Sequence, residues 1–293
     1  MRPWLPCLAL ACSDYEVVAT PADAALVGLP GNGWLDSASG SNAGPDRGDE
    51  GAGTVGAPEC REDYSSSTLV SFDAESLAAY EIDLDQGAAR QLALLSGASD
   101  PMANLNSSAF REDGLAFVSA SGVGELWLVD PCTGAAEVVG ATGRGDVCGI
   151  AFGPGGELFG LDRTSDELVR FDQSTGAAAT VGPLGIDIEL CGLAYDCVDE
   201  ELFGVDSATR QLFAIDNHTG AATRLVPTTV PFQSVGLEYD PADRSFLAST
   251  GTELWRVVAR TGESTRMSAL PDGTTWDDLA YSLVELECAS GAR

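Results

Sequence analysis

The chain has 293 residues, 44% of them apolar, enough for one substantial core, and a formal net charge of −30. All fifteen basic residues are arginines. This excludes nucleic acid as a partner, because phosphate binding needs a basic face to release counterions, and it excludes Schiff-base chemistry on a lysine; the acidity itself reads as solubility.

The chain opens "MRPWLPCLALAC". Arg2 is a minimal positive region, residues 4–11 form an apolar run too short to span a bilayer, and Ala9-Leu10-Ala11 has the small-x-small pattern of a cleavage site. Cys12 follows, as in the lipobox of bacterial lipoproteins, which this stretch resembles. Ala9 departs from that motif, which prefers a larger aliphatic there. Residues 1–12 are therefore expected to be a signal peptide with a lipidated Cys12; plain secretion and no export are the competing readings. Ser13 resembles outer-membrane sorting, and the membrane is expected to be met only through the lipid anchor. Residues 13–63 are rich in Gly, Ser, Ala and Asp without an apolar period. Such a segment cannot offset its chain entropy by burial, and it reads as a tether.

From residue 64 the sequence repeats. Gln86-Gly87-Ala88-Ala89, Thr133-Gly134-Ala135-Ala136, Thr175-Gly176-Ala177-Ala178, Thr219-Gly220-Ala221-Ala222 and Thr261-Gly262-Glu263-Ser264 recur at intervals of 42–47 residues. Three other apolar segments keep the same register. One is the set "SAF", "GIAF", "GLAY", "GLEY" and "DLAY"; another is "ELWLVD", "ELVRFD", "QLFAID" and "ELWRVV". Four short strands per unit at this period predict a β-propeller. Asp83, Asp130, Asp172 and Asp216 end the third strand, where a short carboxylate accepts backbone N–H groups two residues on. The following glycine supplies the positive φ of a reversal. The first unit lacks an innermost strand, and the last innermost strand, within residues 278–286, has no unit after it. Together they make one blade, giving an all-β ring of five four-stranded blades over residues 64–288, sealed by the C-terminal strand and leaving residues 289–293 as a tail. A ring of six or seven with degenerate blades competes with this count.

Residues 65–285 resemble the secreted bacterial propellers of the broad YVTN and quinoprotein-like type. Their repeat, G-L-A-Y-D-P through L-Y-G-V-D to L-Y-x-I-D-x-x-T-G-A-A-T, is followed closely by residues 192–223. The resemblance implies the fold and little about function, since propellers host enzymes, lectins and scaffolds alike.

After Cys12, six cysteines remain, and an exported compartment permits disulfides. Cys60 precedes the first blade and Cys288 follows the closing strand, so a bridge between them would staple the seam. Cys148 and Cys191 hold equivalent positions near the axis of adjacent blades and are a second candidate pair. Cys132 and Cys197 have no evident mate. The spacing fits no metal site, and no cofactor is expected.

The lone histidine, His218, lies in an outer turn, which argues against a Ser–His–Asp triad. Propellers hold ligands where loops enter the innermost strands. Asn104, Asp146, Glu189 and Gln233 stand three residues before those strands, with Trp276 and Asp277 at the last blade. Glu238 occupies a position that four sister strands fill with Ala109, Ala151, Ala194 and Ala280. These residues are expected to form an acidic channel rim suited to a cation, a glycan or a peptide amine. The reading is an exported, monomeric binding or scaffold propeller. The alternatives are a glycosidase-like enzyme, using two of Asp146, Glu189, Glu238 and Asp277 at a suitable separation, and a sugar lectin.

Overall fold

The computed structural model describes residues 67–96, 105–120, 122–232, 235–269, 276, 278–286 and 288. The signal segment, the tether, Cys12, Cys60, Asn104, Gln233, Asp277 and residues 289–293 lie outside them. Among the described residues there are five antiparallel sheets of four strands. Blade I holds β1 (Thr68–Asp73), β2 (Ala78–Asp83) and β3 (Ala88–Leu94). Blade II holds β4 (Leu105–Phe110), β5 (Ala116–Ala120), β6 (Glu125–Val129) and β7 (Ala136–Ala141), and blade III β8 (Val147–Phe152), β9 (Leu158–Asp162), β10 (Glu167–Phe171) and β11 (Ala178–Pro183). Blade IV holds β12 (Cys191–Asp196), β13 (Glu201–Asp206), β14 (Gln211–Ile215) and β15 (Ala222–Pro227). Blade V holds β16 (Gly236–Asp240), β17 (Ser245–Thr250), β18 (Glu253–Val258) and β19 (Ser264–Ala269). The fourth strand of blade I is β20 (Ala280–Ser282), which pairs antiparallel with β1 through Leu69 opposite Tyr281. The protein is a five-bladed β-propeller closed by its C-terminal strand.

The apolar runs form two-sided strands because each blade packs a neighbour on both faces. Five buried clusters result, one at each junction. In β9, Leu158 faces blade II while Phe159 and Leu161 face blade IV, all at most 1% exposed. The fifth cluster joins Leu247 and Leu254 of blade V to Leu69 and Ile82 of blade I, so the ring is sealed by packing as well as by the β1–β20 ladder.

The repeated turn makes the hydrogen bonds its chemistry dictates. Asp130 accepts the N–H of Cys132 at 2.8 Å, Asp172 that of Ser174 at 2.9 Å, and Asp216 that of His218 at 2.8 Å. These N–H donors hold the exposed Asp172 and Asp216 carboxyls below the usual range; for Asp172 the Ser174 hydroxyl is the largest contributor. The turn also joins blades, which the sequence pattern does not reveal. Ala178 N–H bonds the Thr142 carbonyl of the preceding blade, and Ala222 N–H the Leu184 carbonyl, both at 2.9 Å. Gly176, at φ +76°, rests against the Gly140 backbone, where a β-carbon would come within 2.7 Å of the carbonyl oxygen. Glycine serves both the reversal and the contact. Each outer strand also carries a bulge at the same place, such as the shift opposite Leu168/Val169 and Leu212/Phe213, adding the local twist a blade needs.

Candidate functional site

The innermost strands β4, β8, β12, β16 and β20 surround the axis. Of the residues expected at their entrance, Asp146, Glu189 and Trp276 lie among the described residues together with Glu238. Asp146 is half-buried and ion-paired with Arg163 of its own blade. Glu189 is exposed, and its N–H bonds the Asp206 carboxylate at 2.8 Å. The expected rim aromatic is corrected outright: Trp276 is 0% exposed. It packs among Leu69, Ile82, Leu247, Leu254 and Leu279, edge-on to Tyr80 with ring centroids 5.0 Å apart. A large indole beside a junction fills the core rather than the channel mouth, because burial of its rings outweighs any gain from exposure.

Glu238 does reach the channel, at a different place. A cavity of about 70 Å³ is lined by the C-terminal halves of the innermost strands. Ser108, Ala151, Leu193, Tyr195, Glu238 and Tyr281 contribute to its wall, and the sole carboxylate among its described lining residues is Glu238. Asp146 and Glu189, at the opposite strand ends, do not line it. The paired carboxylates of a glycosidase are therefore not brought together among the described residues.

The Glu238 carboxylate accepts the N–H of Tyr239 at 2.8 Å and, across the seam, the N–H of Tyr281 on β20 at 3.2 Å. The side chain keeps partial access to the channel, yet the walls around its head are mostly apolar. Burial is the dominant influence and pushes its pKa up to about 7; the two N–H donors oppose this, and the Asp240 charge adds to it. Beside it, burial and a hydrogen bond to Asp196 push the Tyr239 phenol upward, and burial raises Tyr195 as well.

Two disulfides tie parts of the ring together. Cys148 and Cys191 are joined, with Cα atoms 5.3 Å apart, tying the innermost strands of blades III and IV. Cys288 is bonded to Cys132, Cα to Cα 4.7 Å, and not to Cys60 as expected. The reason is the path of the chain after β20. It leaves the seam and crosses blade II, with Val284 and Leu286 against Gly114 and Leu286 on the blade I–II cluster, until Cys288 meets the β6–β7 turn. Leu283, at the start of this strap, lines the cavity. Cys197, also in the cavity wall, is likewise in a disulfide. Sequence reasoning missed Ser108, Tyr195 and Tyr281. The signal for Ser108 was present: its sister positions are Ile150, Leu193, Leu237 and Leu279.

No protein-family model matches the chain, and no curated protein matches it in sequence. Solved structures do resemble it. A structural-genomics protein of unknown function from Bacteroides thetaiotaomicron superposes with a TM-score of 0.52 at 15% identity, covering 82% of this chain and 68% of that one. Virginiamycin B lyase from Staphylococcus aureus gives 0.46 at 14% identity over 74% of this chain and 71% of that one. A chain of a nidogen/laminin complex gives 0.48 at 14%, over 73% and 84%. At these identities the likeness is one of fold.

Proposed function

We propose that this chain is an exported binding propeller whose ligand enters the channel at the end where Glu238 stands. The observation that carries the reading is the cavity lined by a lone, partly accessible carboxylate in a position the repeat otherwise fills with alanine. A carboxylate there has no part in the repeated packing scheme, and its burial costs stability unless something compensates. Export is supported by the signal-like start and by disulfide bonding of all five described cysteines, chemistry that persists in oxidising compartments. Anchoring through Cys12 follows from the lipobox-like sequence. A binding role is favoured over catalysis because the cavity wall, among the described residues, offers one carboxylate, one serine and tyrosines, with no histidine beside them.

The test is a thermal-shift screen of amines, sugars and short peptides against the full chain and against Ala151→Leu, which narrows the cavity. Compounds that stabilise the wild type but not the narrowed variant support the channel as the site. Equal responses in both proteins would overturn it.

A further inference from the structure

The turns of a regular repeat should carry similar residues at similar positions, so a departure asks for a cause. Two positions after the aromatic that closes each innermost-strand motif stand Glu112, Pro154, Cys197, Pro241 and Leu283. A cysteine there adds nothing to the turn, because the Asp196 carboxylate already accepts the N–H groups of Val198 at 2.9 Å and Asp199 at 3.1 Å. Cys197 is half-buried in the wall of the channel cavity, and its sulfur is in a disulfide.

The partner follows by elimination. The chain has eight cysteines. Cys132 is joined to Cys288 and Cys148 to Cys191. That leaves Cys7, Cys12 and Cys60, all ahead of blade I. Disulfides persist in oxidising compartments, so a bonded Cys197 belongs to an exported chain. Export by the signal-like start removes Cys7 with the cleaved peptide. A lipid on the Cys12 sulfur leaves that atom nothing to bond with. Cys60 remains.

The topology puts Cys60 within reach. β1 pairs antiparallel with β20, with Thr68 opposite Ser282. Leu283, the next residue, lines the same cavity as Cys197. Blade I is therefore entered at the channel end where Cys197 and Glu238 stand. Cys60 precedes Thr68 by eight residues in the sequence, a length that spans up to about 29 Å when extended. The cavity between them has a volume of only about 70 Å³, so the Cα atoms can come within the roughly 7 Å that a disulfide requires.

Resting on the export reading above, we propose that Cys60 and Cys197 form a disulfide that fixes the entry of the chain to blade IV at the Glu238 end of the channel. Each thiol loses a proton, the two sulfurs bond, and the two electrons pass to the disulfide of a thiol-oxidising protein in the exported compartment, which leaves as a dithiol. The bond encloses blades I to III in one covalent loop. The Cys132–Cys288 bridge holds the chain leaving β20 to blade II. The chain entering β1 is held to blade IV in turn, so the seam of a three-residue closing strand is secured on both of its sides.

The test is disulfide mapping of the full chain from an exporting host, with free thiols blocked by iodoacetamide and digestion carried out without reductant. Cleavage at Arg61 and ahead of Asp196 separates Cys197 from Cys191. The expected product is a peptide pair carrying Cys60 and Cys197 that parts on reduction. A Cys197 that is alkylated, or bonded to Cys7, to Cys12 or to a second chain, would overturn the proposal. Cys60→Ser gives a second readout: Cys197 should become alkylatable while the other two bridges stay intact. Release of Cys197 by Cys12→Ser instead would equally overturn it. The intact mass reads export separately, through loss of residues 1–11. If those residues are kept, the export reading falls, and the bond is then read on the same chain oxidised in a glutathione buffer. A Cys60–Cys197 pair there upholds the bond without export, and any other partner for Cys197 refutes both.

Discussion

Replacing Glu238 with Gln gives a stability difference that grows as pH rises. In the folded protein the carboxyl keeps its proton up to about pH 7, whereas an ordinary glutamate releases it near 4.5. Between those values the folded state binds more protons than the unfolded chain, so this group's contribution to stability falls as pH rises. At about 1.4 kcal/mol per pH unit the gap amounts to about 3 kcal/mol, reduced to about 2 kcal/mol by the partial access of channel water. Gln carries no charge and escapes this loss. It keeps one carbonyl oxygen, so it satisfies one of the two N–H groups now served, those of Tyr239 and Tyr281. Below about pH 7 the protonated Glu238 carboxyl likewise has a single carbonyl oxygen, so Gln is its near-isostere there and the two proteins differ little. The variant should therefore match wild type closely at pH 4 and be about 2 kcal/mol more stable at pH 8. Urea unfolding of both proteins across that range measures the difference directly, and the other titrating groups cancel in the comparison. A difference that stays constant from pH 4 to 8 would refute the argument, because Glu238 would then titrate alike in the folded and unfolded chains.

Three further outcomes follow from the architecture. Reducing the strap by Cys132→Ser with Cys288→Ser should cost about 2–4 kcal/mol in denaturant unfolding, since the bridge spans 156 residues; a change within error would mean the strap is held by Leu286 packing alone. Gly176→Ala should destabilise by about 1–2 kcal/mol or more, because it places a β-carbon at φ +76° and against the Gly140 carbonyl, and a neutral result in thermal unfolding would remove the turn from the junction. Deleting residues 278–286 should give an aggregating chain, because β1 loses its partner β20 and blade V loses Leu279; a monomer with unchanged Tm by size-exclusion and calorimetry would contradict closure at this seam.

The parts of the fold that rest on local chemistry were legible from sequence. Asp130, Asp172 and Asp216 reach N–H groups two residues away, a relation fixed by chain geometry alone. Blade number followed from two half-units, because unpaired strand edges must meet. The site depended on longer relations and was read less well. Ala151, the counterpart of Glu238, lies five positions beyond Asp146 along β8. At the rise of an extended strand that is about 16 Å, which sets the carboxylate nearer the opposite end of the channel. Trp276 was placed by its neighbours in sequence rather than by its size, and size decided its burial. The pairing of Cys288 could not be read because nothing in the pattern of residues 283–288 announces a strap across blade II.

The seam and the cavity share residues, and this links binding to closure. Tyr281 pairs with Leu69 to hold β20 in blade I, and the same Tyr281 N–H is accepted by Glu238 from blade V. The closing strand is only three residues long, so its own ladder contributes few hydrogen bonds, and the packing of Leu279 and the strap to Cys132 supply much of what holds it. An ionised Glu238 without a counter-charge weakens this junction at neutral pH, for the reason worked out above. A cation seated against it removes that penalty in the folded state and has no equivalent site in the unfolded chain, so occupancy adds stability in proportion to the logarithm of ligand concentration above Kd. The four junctions that carry alanine at this position have no such dependence. Ligand binding should therefore slow hydrogen exchange at the β1–β20 ladder more than at the equivalent β8–β9 or β12–β13 ladders, and uniform protection of all five blades would show that the site and the seam are not coupled.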